Sequence, residues 1–303
     1  MPTTNQFVPR VAPNVPGQVE ETTPPKLPFP RNACDAHVHL FGPQEQYPHA
    51  GNPNYIPHEA SVEQLRKMLS TLGCTRAVIV QPSYYGSDNR CTVDGVKAGN
   101  GDFRGIVNLS VDRTSDAELK EMHAAGIRGV RMSLRLVDGK PPYAELARLA
   151  ERVKHLGWHV QLYFYADQVT DLDAVVPKLP VDVSIDHIGY VDAGDGIEGP
   201  GFQMLLRLAK TGRAWFKLSA PNRQSRRPPL FEDVAPLARA LFETVPNRCV
   251  WGTDWPHVNP VAHGITRVPN DGELADALIN YLPNEADRKL VLVDNPARLY
   301  GFA

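Results

Sequence analysis

The stretch "NACDAHVHLFG" (residues 32–42) carries two histidines, His37 and His39, one residue apart and just ahead of a glycine. In a strand, residues i and i+2 point to the same face, so both imidazoles aim at one spot. A third histidine, His187, stands in "SIDHIG", and Asp254 stands in "VWGTDWPHVN" with His257 and Asn259 close behind. Imidazoles and a carboxylate brought together can move protons, donate to a developing oxyanion or bind a divalent metal. Residue type and spacing alone leave all three open. A lone histidine packs in cores and on surfaces alike, whereas four such groups at one spot ask for a chemical explanation.

What would bring them together is a regular alternation of elements. From residue 33, short β-branched runs alternate with amphipathic helical patterns. Eight runs can be counted: "CDAHVHLF", "TRAVIVQP", "FRGIVNLS", "IRGVRMSL", "WHVQLYFY", "VDVSIDHIG", "AWFKLSA" and "RCVWGTDW". Between them lie segments such as "SVEQLRKMLSTLG", "SDAELKEMHAAG", "YAELARLAERVKHLG" and "GFQMLLRLAKTG", where glycine marks the helix stop. Thr114-Ser115-Asp116 supplies N-cap chemistry ahead of the second. Eight strand-helix units predict an α/β fold, a (β/α)8 TIM barrel forming a single domain over residues 30–303, with an extended proline-rich arm over residues 1–29. An open doubly wound sheet is the alternative, but no GxGxxG follows the first strand.

In such barrels chemistry is carried at the C-terminal ends of the strands. His37 and His39 lie late in strand one, His187 closes strand six and Asp254 closes strand eight. His159 opens strand five at the opposite end, and His123 and His155 fall on helices.

With 303 residues, 42% hydrophobic and 22% charged, the chain can bury one large core. A formal net charge of −2 gives no electrostatic footprint for nucleic acid or an acidic membrane surface. No apolar run is long enough to predict a spanning helix. Cys34, Cys74, Cys91 and Cys249 form no CxxC pair and read as buried reduced thiols, from which a cytoplasmic location is expected.

The motifs "DAHVH", "IDHIG" and "WGTDWPH", with "VIVQPSYYGSDN", "GIRGVR", "LYF", "WFKLSAPNR" and "NPARLY" in order, resemble the amidohydrolase superfamily (amidohydrolase-related, family 2). Within it they resemble the branch of 2-pyrone-4,6-dicarboxylate lactonases and related sugar-acid and sulfomuconolactone lactonases. The resemblance implies a hydrolase that opens an anionic lactone, carboxylated or sulfonated, in aromatic-compound degradation. Asp254 would be the general base on water, its pKa raised toward working pH by its surroundings. His37, His39 and His187 would stabilise the tetrahedral oxyanion, directly or through a metal.

Zinc-using relatives add a carboxylated Lys on strand four or a His on strand five. Here strand four, "IRGVRMSL", has no Lys, and strand five offers Tyr163 and Tyr165. No metal or other cofactor is therefore expected to be required; a zinc, if present, would take His37, His39 and Asp254.

Arg131, Arg135 and Arg223 near strand ends carry guanidinium forks that match carboxylates. The resemblance adds Ser83, Tyr163, Asn259 and Tyr55 as substrate contacts, with His257 as a contact or a brace for Asp254. It also implies an Arg after strand six where this chain has Tyr190, which changes how a second acid group is held. Two competing readings are a zinc-dependent decarboxylase, which wants a stronger metal site, and a catalytically inactive ligand-binding barrel, against which the His-His-His-Asp set speaks. The sequence does not reveal the oligomeric state.

Overall fold

A computed structural model describes residues 17–51, 55–258 and 267–303. Asn259 and residues 1–16 of the arm, both singled out above, lie outside the described residues.

Each of the eight β-branched runs forms a strand: β1 (Ala33–Val38), β2 (Cys74–Val80), β3 (Phe103–Val107), β4 (Ile127–Ser133), β5 (His159–Tyr163), β6 (Val183–Ile185), β7 (Ala214–Lys217) and β8 (Cys249–Val250). They pair in parallel and in sequence order. The segment continuing β8 returns to β1 and closes the ring: Ala36 N donates to Trp251 O at 2.8 Å, Asp254 N to His37 O at 2.9 Å, and His39 N to Trp255 O at 2.8 Å. Gly252 is required at this seam, because a Cβ there would lie 2.6 Å from the His37 backbone nitrogen. The strands are covered by side chains on both faces, which is why they read as near-continuous apolar runs.

Helices α1 (Val62–Leu72), α2 (Arg90–Ala98), α3 (Asp116–Ala125), α4 (Tyr143–Val153), α5 (Leu172–Val175), α6 (Pro200–Lys210), α7 (Ala235–Thr244) and α8 (Asp271–Tyr281) return the chain between strands and after β8. Two short helices, α9 (Glu285–Lys289) and α10 (Asn295–Tyr300), follow. The architecture is the expected (β/α)8 barrel in a single domain. Ser115 caps α3 in a reciprocal box with Glu118, and Gly126, at φ 110°, stops it in a left-handed conformation few other residues tolerate. One face of each long helix meets the barrel, as Leu146, Leu149, Ala150 and Val153 do on α4.

The described part of the arm crosses to α8. Thr23 donates through both its backbone nitrogen and its hydroxyl to Asn270 Oδ1, each at 2.9 Å, and Asn270 is also the N-cap of that helix. All four cysteines are buried and unbridged. Among the described residues no helix is long and apolar enough to cross a membrane.

Candidate active site

The strand-end residues converge as their positions in the sequence predict. His37, near the end of β1, and His39, just past it, point into the mouth, and Asp254 and His187 meet them from sharp turns after β8 and β6. Asp254 sits at φ 70° and His187 at φ 48°, left-handed conformations that cost a non-glycine residue roughly 1–2 kcal/mol each. The β1–β8 seam supplies part of the compensation. Asp35 spans it, accepting from His37 N at 3.1 Å, Thr253 N at 3.0 Å and Thr253 Oγ1 at 2.7 Å.

Three imidazole nitrogens surround one oxygen. Oδ1 of Asp254 lies 3.4 Å from His39 Nε2, 3.5 Å from His187 Nε2 and 3.7 Å from His37 Nε2. All four side chains are buried. Its other oxygen, Oδ2, accepts from Arg223 Nε at 2.7 Å. The far nitrogens hold the rings in place: His39 Nδ1 is 2.7 Å from Val80 O, and His187 Nδ1 is 2.8 Å from Ser219 Oγ.

The electrostatics differ from the expectation for Asp254. Burial pushes its carboxyl up, but Arg223, His187, His39 and His37 outweigh burial and hold it well below the usual carboxylate range. Asp254 is thus an ionised acceptor at rest. Burial pulls His187 down to about 4 and holds His37 well below the ordinary imidazole range, the latter helped by Lys217. Both rings are neutral near pH 7.

A second set of charges lies beneath. Lys217, wholly buried at the end of β7, places Nζ 2.7 Å from Gln161 Oε1, 3.0 Å from Ala36 O and 3.1 Å from His37 Nδ1. Burial lowers its ammonium to about 8, with Asp186 opposing. Asp186 Oδ1 lies 3.5 Å from that ammonium and 3.3 Å from His37 Nδ1, while Oδ2 accepts from Arg131 at 3.1 Å. Burial raises the Asp186 carboxyl, yet His37, Lys217 and Arg131 together hold it well below its ordinary value.

Neither Lys217 nor Asp186 was singled out from the sequence. The signal was available: a lysine inside the apolar run "AWFKLSA" is a charge in a strand covered on both faces. Asp186 is hidden by its neighbour His187 in "SIDHIG".

The expected substrate contacts separate into groups. Arg131 and Arg223 touch the buried carboxylates, and Arg131 lies over the Tyr163 ring at 5.5 Å. Arg135 is exposed, two residues beyond the end of β4. Tyr55 is buried and hydrogen-bonded to Ser83, which is exposed in the turn after β2. Tyr190 packs edge-on against Tyr163 at 4.9 Å and His187 at 5.1 Å, so an aromatic ring fills the position expected to hold an arginine. His257 is buried with Nε2 2.9 Å from Asp271 Oδ1, an arrangement that ties the post-β8 turn to the start of α8. A cleft of about 450 Å³ adjoins the centre, lined by Arg223, Tyr165 and Tyr190 together with Arg226, Phe231 and Arg267. That volume suits a small ligand.

Ligand atoms of His37, His187 and Asp254 lie within 4.8 Å of one another, a compact set that could hold a divalent ion. The second imidazole in it is His187, where the sequence led to the expectation of His39. The donor types fit zinc, and His37 Nε2 is buried without a hydrogen-bond partner among the described residues.

A family model described as amidohydrolase matches residues 34–302. The chain is 40% identical over 287 residues to 2-pyrone-4,6-dicarboxylate hydrolase of Comamonas testosteroni, covering 91% of this chain and 92% of that one. It is 36% identical over 293 residues to 4-sulfomuconolactone hydrolase of Hydrogenophaga intermedia, covering 96% of each. A crystal structure of a probable 2-pyrone-4,6-dicarboxylic acid hydrolase from Acinetobacter baumannii, with citric acid bound, superposes with a TM-score of 0.75 at 27% identity, over 89% of this chain and 100% of that one.

Proposed function

The chain belongs to the amidohydrolase family, and from that premise we propose that it is a lactonase that opens a small anionic lactone, carboxylated or sulfonated, in the breakdown of aromatic compounds. One arrangement carries the reading: a single carboxylate oxygen, Asp254 Oδ1, ringed by three imidazole Nε2 atoms and flanked by the buried guanidinium of Arg223. Relatives named for dicarboxylate and sulfonate lactones support the substrate class.

An acid group of the substrate reaches Arg223 from the adjoining cleft and competes with Asp254 for the guanidinium, while Arg131, braced by Asp186, offers a second cation. Drawing Arg223 away from Oδ2 removes the strongest influence lowering the Asp254 pKa and makes the carboxylate a better base. Asp254 takes a proton from water as the water oxygen bonds to the lactone carbonyl carbon. Imidazole N–H groups donate to the oxyanion so formed. Collapse breaks the ring C–O bond, and the proton held by Asp254 passes to the leaving oxygen, which returns the site to its starting state.

A divalent ion, when bound, would be held by His37, His187 and Asp254 and would polarise the carbonyl. The proposal requires none, because Arg223, Arg131 and Lys217 already set three cations against the Asp254 and Asp186 carboxylates. A cytoplasmic location fits the four unbridged cysteines.

The test is turnover of a panel of lactones bearing carboxylate, sulfonate or no acid group, followed by the ultraviolet change on ring opening. Acidic lactones should turn over and neutral analogues should not. Turnover of no lactone would remove the proposal.

A further inference from the structure

A neutral imidazole carries one N–H and one lone pair, so its two nitrogens serve opposite roles. Nδ1 of His37 faces two groups with opposite demands. Asp186 Oδ1, 3.3 Å away, only accepts, and would draw the ring proton onto Nδ1. That leaves the lone pair at Nε2, the arrangement of a metal ligand backed by a carboxylate. The Lys217 ammonium, 3.1 Å away, only donates, and needs the lone pair at Nδ1. That puts the proton on Nε2.

We infer that Lys217 prevails, and that it is the positioning residue which fixes His37 as an Nε2–H donor aimed into the catalytic centre. An ammonium has three hydrogens, and Lys217 has three acceptors at bonding distance: Gln161 Oε1, Ala36 O and His37 Nδ1. Without His37, one buried N–H would be left, among the described residues, with Asp186 Oδ1 at 3.5 Å. The competing contact is longer, 3.3 Å against 3.1 Å, and Asp186 Oδ1 makes no well-aligned hydrogen bond among the described residues. At the other end, Nε2 lies 3.7 Å from Asp254 Oδ1 and has no hydrogen-bond partner among the described residues. A hydrogen there faces an acceptor, whereas a lone pair there would face another lone pair.

His39 is held by a different group: its Nδ1 lies 2.7 Å from the carbonyl of Val80, which can only accept. What the His37 donor serves, the oxyanion of lactone opening, rests on the function proposed above; the proton's position does not.

Nitrogen-15 NMR of the full chain labelled at histidine, with His37 assigned by its loss in His37→Gln, reads the proton directly. His37 should appear protonated at Nε2 only. A proton on Nδ1 of His37, alone or together with Nε2, overturns the inference. Zinc affinity by chelator competition is the second readout. In Lys217→Met, Asp186 captures the ring proton, Nε2 becomes a ligand, and zinc should bind about tenfold tighter or better. A folded variant that binds zinc no more tightly than the natural chain would contradict the assignment. If the variant does not fold, the NMR result on the natural chain decides alone. Neither readout uses a lactone, so failure of the lactonase proposal and failure of this one are separable.

Discussion

Arg223 places Nε 2.7 Å from Oδ2 of Asp254, with both side chains almost wholly shielded from solvent. The pair fixes the orientation of the carboxylate, because Oδ2 is taken and Oδ1 is left to the imidazoles. It also explains why a buried aspartate stays ionised, since a neighbouring guanidinium offsets the loss of water.

Removing that partner should be costly twice over. Arg223→Met leaves an uncompensated buried carboxylate, and a loss of about 3 kcal/mol in stability is expected from urea unfolding. Turnover of an acidic lactone should fall roughly 10²- to 10³-fold, the scale of losing an electrostatic anchor. Arg223→Lys should recover part of the stability but little of the activity, because one ammonium cannot reproduce the fork.

His257 is expected to act as a brace. His257→Ala leaves Asp271 unpaired and should lower stability by about 1–3 kcal/mol, while KM for the lactone stays near its original value. Asp271→Asn should behave alike, and the double variant should cost less than the sum of the two. A large rise in KM in His257→Ala, with stability unchanged, would make it a substrate contact.

Asp35 makes a prediction about pH. Burial raises its carboxyl from 3.8 to about 7 in spite of the hydrogen bonds it accepts from Thr253 and His37. Between those values the folded chain holds a proton that the unfolded chain has released. The contribution of Asp35 is therefore fully present below about pH 4 and declines toward pH 7, with a slope of at most about 1.4 kcal/mol per unit. Urea unfolding across this range should show the natural chain losing stability relative to Asp35→Asn as pH rises, with no further change above 7. The opposite slope would mean that Asp35 stays ionised in the fold.

Much of the site was legible because a barrel converts position along a strand into position in space. His37, His39, His187 and Asp254 were found by asking which polar residues close a strand, and the fold brings them within a few ångströms of one another. The eight strands were legible because burial on both faces demands apolar, β-branched runs. The supporting charges were harder to read. Lys217 and Asp186 act through partners far off in the sequence, and pairing across the barrel leaves no local period. The bond from His257 to Asp271 likewise depends on where α8 begins. The low pKa of Asp254 was missed for a related reason: burial alone predicts a rise, and only the approach of Arg223 reverses it.

The most direct test of the account is kcat/KM for 2-pyrone-4,6-dicarboxylate with exhaustively chelated protein, its metal content checked, beside Asp254→Asn treated in the same way. The account predicts turnover that survives chelation and falls by about 10²- to 10⁴-fold in the Asn variant, the range of a lost general base. Turnover abolished by chelation and restored by zinc would contradict it, and would turn His37 from a donor into a ligand.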